Sequence, residues 1–309
     1  MGRALLPAFD VDVERSRVAY AGIAQVDPSW VAIISQVSVV SGLVAASLPA
    51  GARVLAPEED FSSLLFPFLA DSRLDVELVP LRELVDRIDS ATDLVAASAV
   101  QSADGRLLDC DALADAAAAS GAKTYVDVTQ AAGWLPLALD RFDITACGAY
   151  KWLCCPRGTG FITVPPDTEW LRPQFPGWYS GEDPWQSLYG APLRLAADAR
   201  RFNVSPPWQA YAAAAPTLEF LDGLDARRVH RHCVGLANRL RQRLGMPESN
   251  SAIVSVDTSN AGALLDAGIM AAARAGRVRL SFFIYNSTDD VDRAADVLCD
   301  AGASADLEI

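Results

Sequence analysis

Histidine and lysine are nearly absent from this chain. Its 309 residues hold two histidines, His230 and His232, and two lysines, Lys123 and Lys151, although 26 residues are basic. The histidines lie two apart in the Arg-rich stretch DARRVHRHCVGLANRLRQRLG, so on a helix they point to different faces. That disfavours a His-based zinc site and a Ser-His-Asp triad. Cysteine is also sparse. Cys110, Cys147, Cys154, Cys155, Cys233 and Cys299 include no C-x-x-C pair, so they read as small apolar side chains rather than a metal or redox set. There is no basic run and the net charge is −13, which argues against a nucleic-acid partner or an anionic membrane surface. No uninterrupted apolar stretch reaches the ~18–20 residues of a spanning helix. The opening MGRALLPAFDVDVERSR turns acidic at once, without the apolar run of a signal peptide. The expected compartment is the cytoplasm, with thiols reduced. No G-x-G-x-x-G follows the first strand, which weakens a nicotinamide dehydrogenase.

What the chain does have is apolar content. Hydrophobic residues make up 51% and charged residues 21%, which suits a globular protein with a large core and two lobes. The first two-thirds alternates short β-rich runs with helical stretches. Residues 30–35, 52–57, 74–80, 93–98, 123–128, 143–149 and 158–165 read as strands. Helices are expected over 11–25, 37–49, from Ser62 onward, and through DALADAAAASGA. This pattern predicts an α/β fold with a mostly parallel sheet flanked by helices. RPQFPGWYSGEDPWQSLYGAPL (172–193) reads as a long ordered loop, and 208–224 and 226–245 as helices. A smaller C-terminal α+β unit of strand, helix, strand and helix follows. The expected division is a large domain at 1–200 and a small one at 201–309.

The chemistry is expected between Tyr125 and Pro165. In YVDVTQAAGW an apolar strand ends on Asp127, followed by Thr129 and Gln130. Open α/β sheets bind ligands at the carboxyl ends of their strands. In DITACGAYKWLCCPRGTGF a second strand runs into Tyr150, Lys151 and Trp152. A lysine among aromatic and apolar neighbours is partly desolvated, which frees its amine to attack a carbonyl. Lys123, before a strand, reads as a solvated turn residue. A reactive lysine and a carboxylate at a strand end point to pyridoxal 5′-phosphate (PLP): the amine holds the aldehyde and the acid keeps the ring nitrogen protonated. Its phosphate needs helix N-terminal amides and hydroxyls, and Ser35-Gln36-Val37-Ser38 opens a helix after the first strand.

These segments resemble the class V aminotransferase family, which includes cysteine desulfurases, kynureninases and isopenicillin-N-epimerase-like enzymes of PLP fold type I. VDVTQAAGWLPLALDRFDITACGAYKWLCCPRGTGFITV carries the most specific part, and RVRLSFFIYNSTDDVD is also typical. The resemblance implies that Lys151 is the Schiff-base lysine and Asp127 the partner of the pyridinium nitrogen. Gln130 falls where the family touches the cofactor's phenolic oxygen. Tyr150 matches a phosphate-contacting Tyr, and Val37 and Ser38 match the phosphate loop. Phe61 falls where an aromatic or His stacks on the ring; as a core Phe starting a helix it has an ordinary explanation too. Ser98 matches a cofactor-contacting Ser or Thr, and Ser102 stands where desulfurases have Asn. Trp178 and Ser205 resemble residues that complete the phosphate site, partly from a neighbouring subunit. Arg279 matches the arginine that grips the substrate carboxylate. A homodimer and a small amino acid substrate are implied with them.

Two departures accompany the resemblance. The phosphate loop starts near residue 35, so the N-terminal arm that the family carries ahead of it is expected to be missing. Desulfurases use a cysteine on a mobile loop, whereas Cys233 and Cys299 fall in expected helices, which disfavours persulfide formation. The expected activity is that of an aminotransferase. The alternatives are a C–S or C–C lyase of cysteine-lyase or kynureninase type, and a non-catalytic protein on a degenerate PLP fold.

Overall fold

The computed structural model describes residues 6–257 and 261–305; residues 1–5 of the opening stretch lie outside them. The chain forms two compact units. The first comprises Met1–Ala99, Leu108–Gly133 and Leu137–Leu224, and the second Val100–Leu107, Trp134–Pro136 and Asp225–Ile309.

A seven-stranded sheet organises the first unit. Its strands are β1 (Val31–Ile34), β2 (Arg53–Pro57), β3 (Asp75–Val79), β4 (Leu94–Ser98), β5 (Lys123–Asp127), β6 (Ile144–Gly148) and β7 (Gly160–Thr163), in the order β1-β7-β6-β5-β4-β2-β3. β7 is antiparallel to both its neighbours, and the remaining pairs are parallel. β1 therefore runs in the same sense as β4, β5 and β6, and all four carboxyl ends share one edge. β4 and β6 are buried along their whole length, as expected of strands covered on both faces.

Helices α1 (Leu6–Ala24), α2 (Val37–Ser47), α3 (Ser62–Leu69), α4 (Cys110–Ser120) and α5 (Trp208–Asp222) belong to this unit. Val40 and Val44 of α2 and Leu64 and Phe68 of α3 share a core cluster with Val54, Leu94, Ile144 and Ile162. Alternation turns Phe161 of β7 the other way. There Tyr20 of α1 stacks on it at 4.3 Å and Tyr211 of α5 meets it edge-on at 6.2 Å. Full burial of each such side chain contributes about 1.5–3 kcal/mol. α4 shows local encoding most clearly. Asp109 accepts from the Ala112 N–H at 3.0 Å, and Gly121, at φ +81°, ends the helix in the left-handed region.

The second unit holds an antiparallel sheet of β8 (Ile253–Val256), β9 (Ala272–Arg274) and β10 (Arg277–Ser281), in the order β8-β10-β9. It also holds α6 (Ala226–Arg243), α7 (Ala261–Asp266) and α8 (Thr288–Ala305). Leu236 and Leu240 of α6 pack with Val278, Leu280, Val291 and Ala295. Arg239 and Arg243 of α6 pair with Asp292 and Asp296 of α8 at 2.7 and 2.6 Å.

Two expectations differ from this arrangement. The boundary anticipated at 200/201 lies at Leu224/Asp225. α5 belongs with the first unit because it packs along α1, where Arg15 pairs with Glu219 at 2.6 Å. β9 was not expected, because its Ala-Ala-Arg sequence has weak β propensity. It forms because Ala275 and Gly276 both adopt positive φ, +47° and +75°. They make the two-residue hairpin that sets Arg274 opposite Arg277.

Candidate active site

The carboxyl ends of β4, β5 and β6 gather most of the expected residues. Asp127 ends β5 and is buried. Its Oδ1 accepts the Thr129 N–H at 2.8 Å, while the Thr129 hydroxyl accepts the Gly148 N–H at 2.9 Å. One Asx-type turn thus ties the end of β5 to the end of β6. Burial raises the Asp127 carboxyl to about 6; the Thr129 bonds and the Lys151 charge oppose that rise. Gln130 lies in the same turn, and its Oε1 accepts the Trp152 indole N–H at 2.9 Å. Trp152 follows Lys151, so this bond joins the Asp127 turn to the lysine turn.

Lys151 stands three residues beyond β6, with its Nζ 5.5 Å from the centre of the Phe61 ring, within range of a cation–π contact. Phe61 lies just before α3. Beside it, the buried Asp60 accepts from the Ser98 N–H at 2.7 Å and the Ser98 hydroxyl at 2.5 Å. Ser98 is the register partner of Asp127 in the β4–β5 pair. Tyr150 packs over Gly148, where an added Cβ would lie 2.9 Å from the ring; the Arg157 guanidinium covers that ring at 4.5 Å. Lys151, Phe61, Ser98, Asp127, Gln130 and Tyr150 therefore form one cluster.

Val37 and Ser38 open α2 at the same sheet edge. No side chain caps this helix: Gln36 is its N-cap and makes no side-chain bond there. Its first amides remain available to an anion. Trp178 lies in the long loop after β7, in a short 3-10 turn, among Tyr179, Trp185 and Trp208. Ser205 is exposed. It follows Val204, whose N–H donates to the Ile33 carbonyl at 3.3 Å. Arg279 lies on β10 in the second unit. Its Nη1 donates to the Ser102 carbonyl, and its Nε is buried without a hydrogen-bond partner. Burial and the nearby Arg274 lower the affinity of this guanidinium for its proton.

Sequence reasoning missed Asp60. Preceding a helical stretch, it reads as a helix-start residue, and nothing local shows that it bonds a residue 38 positions away. It also missed that Thr129 orients Asp127, although the D-x-T spacing is an Asx-turn signal.

The donor set fits PLP. A buried carboxyl with a raised pKa calls for a cation, which the ring's N–H supplies. An amine stands at the same sheet edge with an aromatic ring beside it, and an uncapped helix start can receive a phosphate. Among the described residues no group of His, Cys, Asp or Glu is placed to hold a metal ion. No helix there is long and apolar enough to cross a membrane.

A mostly parallel sheet carrying this cluster at its strand ends defines a fold-type I PLP enzyme. The class-V aminotransferase family profile matches residues 71–265, and the chain belongs to that family. It is 25% identical to an uncharacterized aminotransferase, YcbU of Bacillus subtilis (strain 168), over 92% of this chain and 82% of the relative. It is likewise 25% identical to isopenicillin N epimerase of Amycolatopsis lactamdurans, over 92% and 83%. Among solved structures, the cysteine desulfurase of Thermococcus onnurineus NA1 superposes with a TM-score of 0.84 at 20% identity, covering 98% of this chain and 87% of that one. The cystine C-S lyase C-DES, solved with its product cysteine persulfide, gives 0.86 at 19% identity over 97% and 89%. These two likenesses establish the fold.

Proposed function

We propose that this PLP enzyme is an aminotransferase acting on a small amino acid, with Lys151 as the amine that holds the cofactor and moves the substrate's Cα proton. The carrying observation is the tie between the two turns: Gln130 to Trp152 beside Lys151, and Thr129 between Asp127 and Gly148. The bound cofactor supplies an electron sink for charge developing at Cα. Asp127 stabilises positive charge on the ring nitrogen. Phe61 offers an aromatic face beside the amine, and Ser98, held by Asp60, a hydroxyl at the same strand ends. The first amides of α2, with Ser38, receive the phosphate, and Tyr150 is assigned a contact to it. Arg279 is proposed for the substrate carboxylate, as the arginine of β10 with an unsatisfied buried N–H. With the cofactor bound, the Lys151 amine would act as the general base that takes the substrate's Cα proton and returns it.

Desulfuration through a protein persulfide is not favoured, because Cys233 is buried within α6 and Cys299 lies within α8. The test is a screen of amino acids with the purified protein. Keto acid, ammonia, sulfide and inverted substrate are each measured, together with the visible absorption of lysine-bound cofactor. Keto acid formation that requires an acceptor keto acid, with the absorption lost in Lys151→Ala, is the expected result. Ammonia or sulfide without an acceptor requirement would replace the aminotransferase with a lyase. No absorption in the wild type would overturn the reading.

A further inference from the structure

One carboxylate in the first unit gathers three aromatic donors. Asp10 of α1 accepts on Oδ1 from the Tyr179 hydroxyl at 2.9 Å and the Trp208 indole N–H at 3.0 Å. Its Oδ2 accepts from the Trp185 indole N–H at 2.7 Å. The Trp178 ring sits among these donors, with centroid distances of 5.1 Å to Tyr179, 5.3 Å to Trp185 and 6.2 Å to Trp208. Phe9 stacks on Trp208 at 6.2 Å. The loop after β7 that carries Trp178, Tyr179 and Trp185 has almost no regular structure of its own. It holds 3-10 turns at Trp178–Ser180 and Ala199–Phe202 and an isolated bridge between Gly181 and Leu195. Side-chain contacts therefore decide where this loop lies.

A second tether runs towards α2. The Asn203 side chain accepts the Ile33 N–H at 2.9 Å, and the Asn203 carbonyl accepts the Ser180 hydroxyl at 2.8 Å. Pro173 and Pro176 line a narrow apolar groove with Ile34, Val39 and Val40, beside the first turns of α2. The 173–176 stretch of the loop thus borders the first turns of α2, and its Tyr179–Trp185 stretch is held by Asp10.

We propose that Asp10 is a positioning residue for the cofactor: through Tyr179, Trp185 and Trp208 it fixes Trp178 and the loop whose 173–176 stretch borders the start of α2, and so slows escape of bound PLP. The inference rests on α2 as the phosphate seat. A single carboxylate shared by three donors suits this role. Its bonds are charge-assisted and mutually orienting, and losing the charge loosens all three aromatic side chains together.

The test uses the PLP-loaded protein. Cofactor loss is followed by the visible absorption of lysine-bound PLP during dilution into a PLP-trapping apo-enzyme. Asp10→Asn is expected to release PLP about tenfold faster, in line with the loss of charge-assisted bonds, with tryptophan emission shifted to the red. Asp10→Ala is expected to release it faster still. Trp185→Phe removes one donor, leaves the carboxylate paired, and is expected to fall between Asp10→Asn and wild type; it serves if Asp10→Ala does not fold. Arg15→Ala removes the exposed α1–α5 ion pair and controls for a loosened α1, with release expected at the wild-type rate. Release within twofold of wild type in both Asp10→Asn and Trp185→Phe would overturn the proposal, and so would equal acceleration by Arg15→Ala. A wild-type protein that forms no lysine-bound PLP removes the site reading and this inference with it. Tight PLP in every variant removes this inference alone.

Discussion

Asp127 carries the clearest pH signature at the scale of single residues. Burial lifts its carboxyl from 3.8 to about 6. Such a group contributes its full stability below about pH 4 and loses it as the pH climbs through 6, because ionisation in a buried site is then forced. The loss amounts to about 3 kcal/mol. In the cofactor-free protein, the wild type is expected to lose that much stability relative to Asp127→Asn between pH 4 and 7, read from urea midpoints. Asn keeps an acceptor for the Thr129 N–H while removing the charge. On the proposed pairing of Asp127 with the ring nitrogen, PLP binding is expected to show the opposite dependence. It weakens as the pH falls below 6 and the carboxyl takes up a proton, and titration of PLP into Asp127→Asn should show weak binding without that limb. Lys151 and Asp127 stood out in the sequence because the chain has two lysines and the acid closes an apolar strand. Asp60 was not, because its partner Ser98 comes from another strand.

Elements were legible where local chemistry agrees with tertiary demand. Each expected strand of the first unit forms within a residue or two of its anticipated bounds, since apolar runs between turn residues specify buried strands. The ends of α4 were equally local, with Asp109 before it and Gly121 after it. What the runs do not encode is which strand lies beside which. The β6–β7 pair depends on a small residue: a Cβ added at Gly160 would lie 2.8 Å from the Cys147 carbonyl oxygen and 3.2 Å from Ile34. A backbone oxygen inside a ladder has little room to give. Gly160→Ala is expected to destabilise the protein by about 2–3 kcal/mol, measurable as a lower urea midpoint. A midpoint unchanged within error would show that the ladder can shift at this pair.

For the whole molecule, the two units differ in which candidate residues they hold. The clustered residues Phe61, Ser98, Asp127, Gln130, Tyr150 and Lys151 all belong to the first, as do Val37 and Ser38, whereas Arg279 belongs to the second. PLP bound to the native state stabilises what it touches. Hydrogen exchange with and without PLP, in the absence of an amino acid, is therefore expected to slow in peptides spanning 37–41, 60–65, 98–99 and 127–152. Peptides of α6 and α8 should change little. Equal protection across the second unit would show that the cofactor couples the two.

The sequence by itself determined the alternation of elements, the family and the choice of the lysine and acid proposed to carry the chemistry, because these depend on periodicity, rarity and short spacings along the chain. Tertiary structure alone decided the strand order, the hold of Asp60 on Ser98, and the convergence of Tyr179, Trp185 and Trp208 on Asp10 from 169 to 198 residues away. Contacts between distant segments leave no local pattern, since each partner taken alone reads as an ordinary cap, core ring or loop residue; only packing brings donor and acceptor within bonding distance.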